Sequence, residues 1–374
     1  MSSVFSIREA ALNAICPYFT MFPLGFPLSI LRERARVGEA VLDPFCGRGT
    51  TNFAARLLGL PSLGVDVSPV AVAITAAKLV SPSVEAILAE ARQILREYEP
   101  RYIPTGEFWD WAYHPKVLET LCRFREAFLE DCTTEERIAL RGILLGALHG
   151  PKQKSFPSYL SNQSPRTYAP KPNYAVRFWK ERGLLPEFVD VLAIIERRAK
   201  RYYEAPSLPK PLGVVRLGDS RDAQILNPEP LGSQFHWVIT SPPYYGMSTY
   251  IPDQWLRNWF LGGPDSVDYT QKGQISHTRP EEFSANLRQV WRNVWQWCAP
   301  GAHLIIRFGS IGSRRSSPFE LIQSSLLDSG WKIIHIFHAG SAANGRRQAD
   351  SFLSSKEMPR EEYDIWAKKE DTRN

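Results

Sequence analysis

Two short stretches carry residue types whose spacing suits chemistry. The first is Asp43-Pro-Phe-Cys-Gly-Arg-Gly-Thr-Thr51, set between a short apolar strand pattern at 39–43 and the apolar spacing of a helix at 52–60. Gly47 and Gly49 let the backbone come close to a ligand, and a helix start turns its free amides toward that ligand. The bend lacks the Gly-Lys-Ser/Thr ending of a phosphate loop and the Gly-x-Gly-x-x-Gly of a dinucleotide turn. An ordinary tight strand-to-helix turn is the alternative. Asp66 closes a second strand pattern at 61–66, where an acid can accept both ribose hydroxyls of a nucleoside, or merely make a turn.

The second stretch is Thr240-Ser-Pro-Pro-Tyr-Tyr-Gly246, directly after a strand pattern at 235–240. Two consecutive prolines do not belong to a central ladder, so they fix a rigid loop. The Ser241 hydroxyl and the Pro242 carbonyl suit the two hydrogens of an exocyclic amine, whose lone pair is delocalised into its ring until acceptors localise it. Tyr244 offers a ring on which a base can stack, and a base in a duplex reaches such a loop only by flipping out. A Pro-Pro turn plugged by an aromatic ring is the alternative without chemistry.

The elements around these stretches set an α/β plan. Strand, helix, strand and a second helix at 69–79 alternate as in a parallel sheet. Strand patterns return at 213–217, 235–240, 302–308 and 331–337, with helices at 281–298 and 318–329. Between them the strand signal vanishes: 83–99, 118–149 and 175–203 read as helices, 150–174 as a Pro- and Ser-rich polar loop, and 206–211 as a linker. The expected division is a ligand-binding half at 1–80, a helical insert at 81–212, a catalytic half at 213–357 and a charged, frayed tail at 358–374.

Composition narrows the class. Hydrophobic residues make up 44% of 374, and the one long apolar stretch, 11–31, is broken by Pro17, Pro23, Gly25 and Pro27. Arg8 is the single basic residue before it, opposed by Glu9, so neither a membrane span nor a signal peptide is expected, and the chain reads as cytoplasmic. The five cysteines are irregularly spaced, with no disulfide framework and no zinc pattern. Cys46 reads as a small packing residue. From Gly150 to Arg182 the basic residues outnumber the acids by six, equal to the net +6 of the whole chain. Lys152, Lys154, Asn162, Gln163, Arg166 and Lys171 in this segment, with Arg346 and Arg347 near the end, are candidates for nucleic-acid contact. Solvated surface loops are the alternative. Trp255 and Trp259, four apart, form either a wall of a target pocket or part of a core.

Together the bend and the diproline loop resemble the cofactor loop and the Ser-Pro-Pro-Tyr loop of the amino-methylating DNA methyltransferases of restriction-modification systems. The resemblance covers three pieces of the chain. It implies a Rossmann-like seven-stranded methyltransferase sheet with a mainly helical insertion, S-adenosylmethionine as donor, and double-stranded DNA as substrate and partner, with a cognate restriction or defence system. It places the methionine moiety among Phe45, Gly47 and Gly49, the ribose at Asp66 and the adenine near Asp219. Asp43, Pro44, Thr50, Thr51, Val67, Ser68 and Ser220 complete the expected cofactor surface, and Phe19 and Thr20 match the segment that closes over the methionine end. Ser241, Pro242, Pro243 and Tyr244 become the catalytic loop. Ser at 241, where the adenine enzymes carry Asp or Asn, points to cytosine N4. Adenine N6 or an RNA amine is the enzymatic alternative, and an inactive nucleic-acid-binding protein on the same scaffold the non-enzymatic one. Carbon-5 methylation is excluded, because its nucleophilic cysteine follows a proline and no cysteine here does.

Overall fold

The computed structural model describes residues 10–18, 22–151, 157–163, 171–204, 208–246, 254–268, 275, 279–311, 317–340 and 359–370. The chain forms two compact units: a sheet unit of Tyr18–Thr75, Pro209–Ser248 and Gln271–Asn374, and a helical unit of Met1–Pro17, Ala76–Leu208 and Thr249–Thr270. The helical unit therefore gathers more than the expected insert.

Seven strands make one sheet: β1 (Ala40–Asp43), β2 (Ser62–Asp66), β3 (Gly213–Leu217), β4 (Phe235–Thr240), β5 (Cys298–Ile311), β6 (Trp331–Gly340) and β7 (Pro359–Lys369). Their order is β3-β2-β1-β4-β5-β7-β6. The first five run parallel, and β7 is antiparallel to both its neighbours. This is the expected α/β, Rossmann-like seven-stranded sheet. Strands β1 and β4 are almost wholly buried, which is why they read as continuous apolar runs and not as alternations. Helices Gly25–Arg34 and Thr50–Leu57 cover one face, where Ile30, Leu31, Ala54 and Ala55 share a core with Val41, Trp237, Ile239, Ile305 and Trp366. On the other face, Phe283 of helix Pro280–Trp297 packs on Phe308 with centroids 5.9 Å apart.

The expected charged tail is corrected by β7. Its Ile365 and Ala367 are fully buried, and Asp364 lies opposite Arg307 of β5 in a two-pronged ion pair, both bonds 2.7 Å. The Arg307 guanidinium also sits 3.7 Å from the centroid of the Phe26 ring. The charges that make this segment look solvated are thus partly spent within the sheet.

In the helical unit, two expected long helices are each split. Helix Pro115–Glu130 ends where Asp131 turns extended, and Thr134 starts helix Glu135–Ala147 by accepting the Arg137 amide at 3.3 Å. Gly183, at φ 60°, closes helix Pro172–Glu181, and Asp190 caps Val191–Tyr203 by accepting the Ala193 amide at 3.1 Å. The first break is polar, Asp131-Cys-Thr-Thr134, and the second carries Gly183 and Pro186, so both are marked in the sequence by residue type. Trp255 and Trp259 lie on helix Trp255–Phe260 and are core residues, packed on Trp109 at 5.9 and 4.5 Å. Among the described residues no helix is long and apolar enough to cross a membrane.

Because β7 fills the gap between β5 and β6, a chain ending at Met358 leaves both strands without their shared partner. Such a truncation is expected to abolish cooperative thermal unfolding followed by circular dichroism; a sharp two-state melt would show that β7 is dispensable.

Candidate active site

Strands β1 and β4 are parallel neighbours, with Leu42 level with Val238. From this pair the sheet continues through β2 and β3 on one side and β5 on the other, so the crevice beyond their carboxyl ends is the topological switch point of the sheet. Both sequence stretches leave the sheet here, and side chains tie them together. The Thr240 hydroxyl donates to Asp43 Oδ1 at 2.6 Å, and the Thr51 hydroxyl to the Ile239 carbonyl at 3.0 Å. The flanking strands join the same edge: Ser220 Oγ donates to the Pro44 carbonyl at 2.7 Å, Cys46 N to the Val65 carbonyl and Gly218 N to the Asp66 carbonyl, both at 3.0 Å.

The bend has the shape its glycines allow. Gly47 and Gly49 have φ of +49° and +71°, and a Cβ on Gly49 would lie 2.6 Å from the Thr75 side chain. Asp66 receives the Gly47 amide at 2.9 Å on one oxygen and the Ser68 amide at 2.8 Å on the other. Each oxygen keeps a further lone pair for a ligand hydroxyl. Burial raises the Asp66 carboxyl to about 6 against the pull of those amides. Asp43 is more enclosed, at 2% exposure, and burial carries it to about 7 although Thr240 and the Phe45 amide hydrogen-bond to it. Val67 is 45% exposed beside Asp66, and Phe45 meets Trp291 edge-on at 6.1 Å. Cys46 is buried and packs beside Gly64, in keeping with a packing role.

Several expected ligand groups instead hold the site together. The hydroxyls of Thr51 and Ser220 are committed to the Ile239 and Pro44 carbonyls, and both residues are buried. Pro44 and Thr50 are buried as well. Asp219 is gripped by Arg221 at 2.5 Å; burial raises its carboxyl, but the Arg221 bonds prevail and hold it below the usual carboxylate range. Arg221 in turn donates to Asn286 at 2.9 Å, and Asn293 donates to the Ser220 and Arg221 carbonyls at 3.1 and 2.8 Å. Asn286 and Asn293 belong to helix Pro280–Trp297 and carry no sequence signal linking them to the Asp219 loop.

In the diproline loop, Ser241 Oγ is buried and has no hydrogen-bond partner among the described residues. Pro242 is buried and Pro243 partly so. Tyr244 corrects the expectation of a free stacking face. It is fully buried, its hydroxyl donating to Glu362 Oε1 at 2.9 Å and its ring edge-on to Phe308 at 5.2 Å. It anchors the loop to β5 and β7, and Glu362 gives no signal of this in the sequence, where its strand looks like a charged tail.

In the helical unit, Asn162 is likewise spent internally: its amide donates to the carbonyls of Trp111 and Leu184 at 3.0 and 2.7 Å. The Gln163 backbone carbonyl accepts from the Trp179 indole at 2.5 Å. Lys171 is exposed. Phe19, Thr20, Lys152, Lys154, Arg166, Arg346 and Arg347 lie outside the described residues.

Residues 5–77, which contain the bend and β2, match the N6/N4 methylase family model, described as DNA methylase. In this segment, about a fifth of its length, the chain is similar to that family. The Type II methyltransferase M.BsoBI of Geobacillus stearothermophilus is 48% identical over 33 residues, which are 9% of this chain and only 6% of that protein's length. Among solved structures, the chain is similar to the rRNA methyltransferase aviRa from Streptomyces viridochromogenes, at 12% identity and TM-score 0.36 over 98% of this chain and 94% of that one. It is also similar to an rRNA methylase from Streptococcus thermophilus, at 8% identity and TM-score 0.34 over 94% and 99%. The fold assignment rests on the strand order and not on these likenesses.

Asp43 makes the site measurable without a ligand. Its carboxyl ionises near 4 when unfolded and near 7 when folded, so the unfolded chain gives up the proton first and stability falls as pH rises between the two values. Asp43→Asn keeps an acceptor for Thr240 and removes this loss. Its stability, followed by melting from pH 4 to 8, is expected to fall less than that of the wild type, by a difference on the order of a few kcal/mol. Parallel curves would mean that Asp43 is not buried in solution.

Proposed function

We propose that this chain transfers a methyl group from S-adenosylmethionine to the exocyclic amine of a flipped nucleic-acid base, with cytosine N4 in double-stranded DNA as the target. The observation that carries this is the buried Ser241 hydroxyl, without a hydrogen-bond partner among the described residues, next in sequence to Thr240, whose hydroxyl donates to Asp43 at the start of the glycine bend. A buried polar atom left without a partner costs about 1–3 kcal/mol, which a substrate hydrogen bond offsets.

The bend and its neighbours fit the donor on features of this chain. Asp66 has lone pairs left for two ribose hydroxyls, Val67 lies exposed beside it, and the missing side chains of Gly47 and Gly49 leave the backbone approachable. S-adenosylmethionine, when bound, supplies an electrophilic methyl group on a sulfonium. The remaining work falls to the diproline loop. Ser241 Oγ accepts one amino hydrogen and the Pro242 carbonyl the other, drawing the nitrogen lone pair out of conjugation with the ring. Tyr244 acts on the loop and not on the base: its bond to Glu362 fixes where the two acceptors stand. Cytosine is favoured over adenine by Ser at position 241, a resemblance to the cytosine-N4 enzymes. The Type II relative supports a restriction or defence system as the biological setting.

The test incubates the protein with S-adenosylmethionine and either DNA or RNA, followed by mass analysis of the nucleosides. N4-methylcytosine in DNA is the expected product, and Ser241→Ala is expected to lower the transfer rate about a hundredfold with donor affinity unchanged. N6-methyladenine, or a methylated RNA amine, would displace cytosine N4 as the target. A protein that binds the donor and methylates neither polymer would overturn the enzyme assignment in favour of an inactive scaffold.

A further inference from the structure

The helical unit contains a cavity of about 640 Å³ whose lining combines three features that do not belong to one another by chance of packing. Its size falls within the range of small-ligand pockets, about 300–1,000 Å³. First, its floor is aromatic and rigid. Phe108, Trp109 and Trp255 are all at least nine-tenths buried, and the Trp255 ring meets Phe108 and Trp109 edge-on at 4.9 and 5.9 Å. Second, one rim holds Lys171, Tyr174 and Arg177, with Tyr174 43% exposed and the Arg177 guanidinium 5.9 Å from its ring centroid.

Third, two of the cations at the cavity have no ion-pair partner among the described residues. The carboxylates that line the cavity are both engaged: Glu107 pairs with Lys180, and Asp265 accepts the Tyr102 hydroxyl at 2.6 Å. Among the described residues Lys171 and Arg177 have no carboxylate partner, whereas nearby Lys180 and Arg182 do. The cavity therefore presents two cations outside any ion pair beside an aromatic surface, with Asp265 the one lining carboxylate that is bonded to a neutral hydroxyl. A simple anion has no use for the floor, and an apolar ligand has none for the cations. A planar base joined to a phosphate uses both: the ring stacks on aromatic faces and the phosphate meets Lys and Arg.

We infer that this cavity is a second nucleotide site, holding one unpaired nucleotide of a nucleic-acid strand through Tyr174, Lys171 and Arg177. Lys171 lies in the basic segment whose excess equals the net charge of the whole chain, so a strand attracted by that segment arrives at the rim of the cavity. The inference rests on the proposed function only for the polymer involved. The chemistry of the cavity stands without it.

The test uses the full chain and a fluorescently labelled single-stranded oligodeoxynucleotide, with affinity read by anisotropy across a salt series and deoxycytidine monophosphate as competitor. Tyr174→Ala is expected to weaken oligonucleotide binding about tenfold with no change in salt dependence, since stacking releases no counterions. The double variant Lys171→Ala/Arg177→Ala is expected to weaken binding and to flatten the salt slope by about 1.4, or about 0.7 for each cation. All three residues have exposed or rim side chains, and unchanged melting temperatures verify folding. Competition by the mononucleotide that is lost in the variants would assign the same site to free nucleotides, which overturns the strand as its source. Wild-type affinity and slope in every variant would overturn the site altogether. Donor binding, measured by calorimetry on the same variants, is expected to be unchanged, so failure of the nucleotide site and failure of the methyltransferase reading are separable.

Discussion

The Thr240–Asp43 hydrogen bond is the constraint around which the site is organised. It joins the last residue of β4 to the last residue of β1, where the order of the parallel strands reverses, and 2.6 Å leaves the two loops little freedom to separate. Because the bond is buried it is stronger than it would be in water, and breaking it would strand a carboxyl in a low-dielectric interior. The Thr51–Ile239 bond runs the other way across the same pair of strands, so each loop is held by the other's strand. The residues after Thr240 must therefore emerge beside the glycine bend.

Around that link the fold divides its groups into those spent on position and those kept for chemistry. Ser220, Thr51, Arg221 and Asn293 spend their polar atoms on carbonyls or on one another, which fixes the strand ends. Tyr244 does the same from the far side, through Glu362 of β7. The groups left over are costly in the free protein: a raised carboxyl at Asp66 and a buried hydroxyl on Ser241 with no partner among the described residues. Such groups concentrate where a ligand completes them, and the two-faced core of the sheet supplies the stability that tolerates them.

The sequence was legible where the chemistry is local. The Asp43–Thr51 bend and the Ser241–Tyr244 loop are contiguous strings flanked by their own strands, so residue type and spacing carried them, and the strand–helix alternation carried the α/β class. Contacts between distant residues were not legible. Tyr244 has the composition of a stacking ring, and only the arrival of Glu362 more than a hundred residues later turns it into an anchor. That strand itself was hidden because Arg307 and Asp364 neutralise each other across β5 and β7, while in the sequence they count as solvated charges. Asn162 has the amide of a base-edge reader, yet the carbonyls of Trp111 and Leu184 occupy it. The breaks at Thr134 and Gly183 were marked by a polar Asp131-Cys-Thr-Thr134 run and by Gly183 and Pro186, but the apolar helices on either side read as one.

The most direct measurement of the central claim is single-turnover methyl transfer by Thr240→Val, a change that preserves shape and removes the one hydroxyl linking the two loops. With the variant folded and saturated with donor and DNA, misplacement of the diproline loop by even an ångström predicts a rate about a hundredfold below wild type. A wild-type rate would contradict the account, because it would show that the two loops find each other without the bond between Thr240 and Asp43.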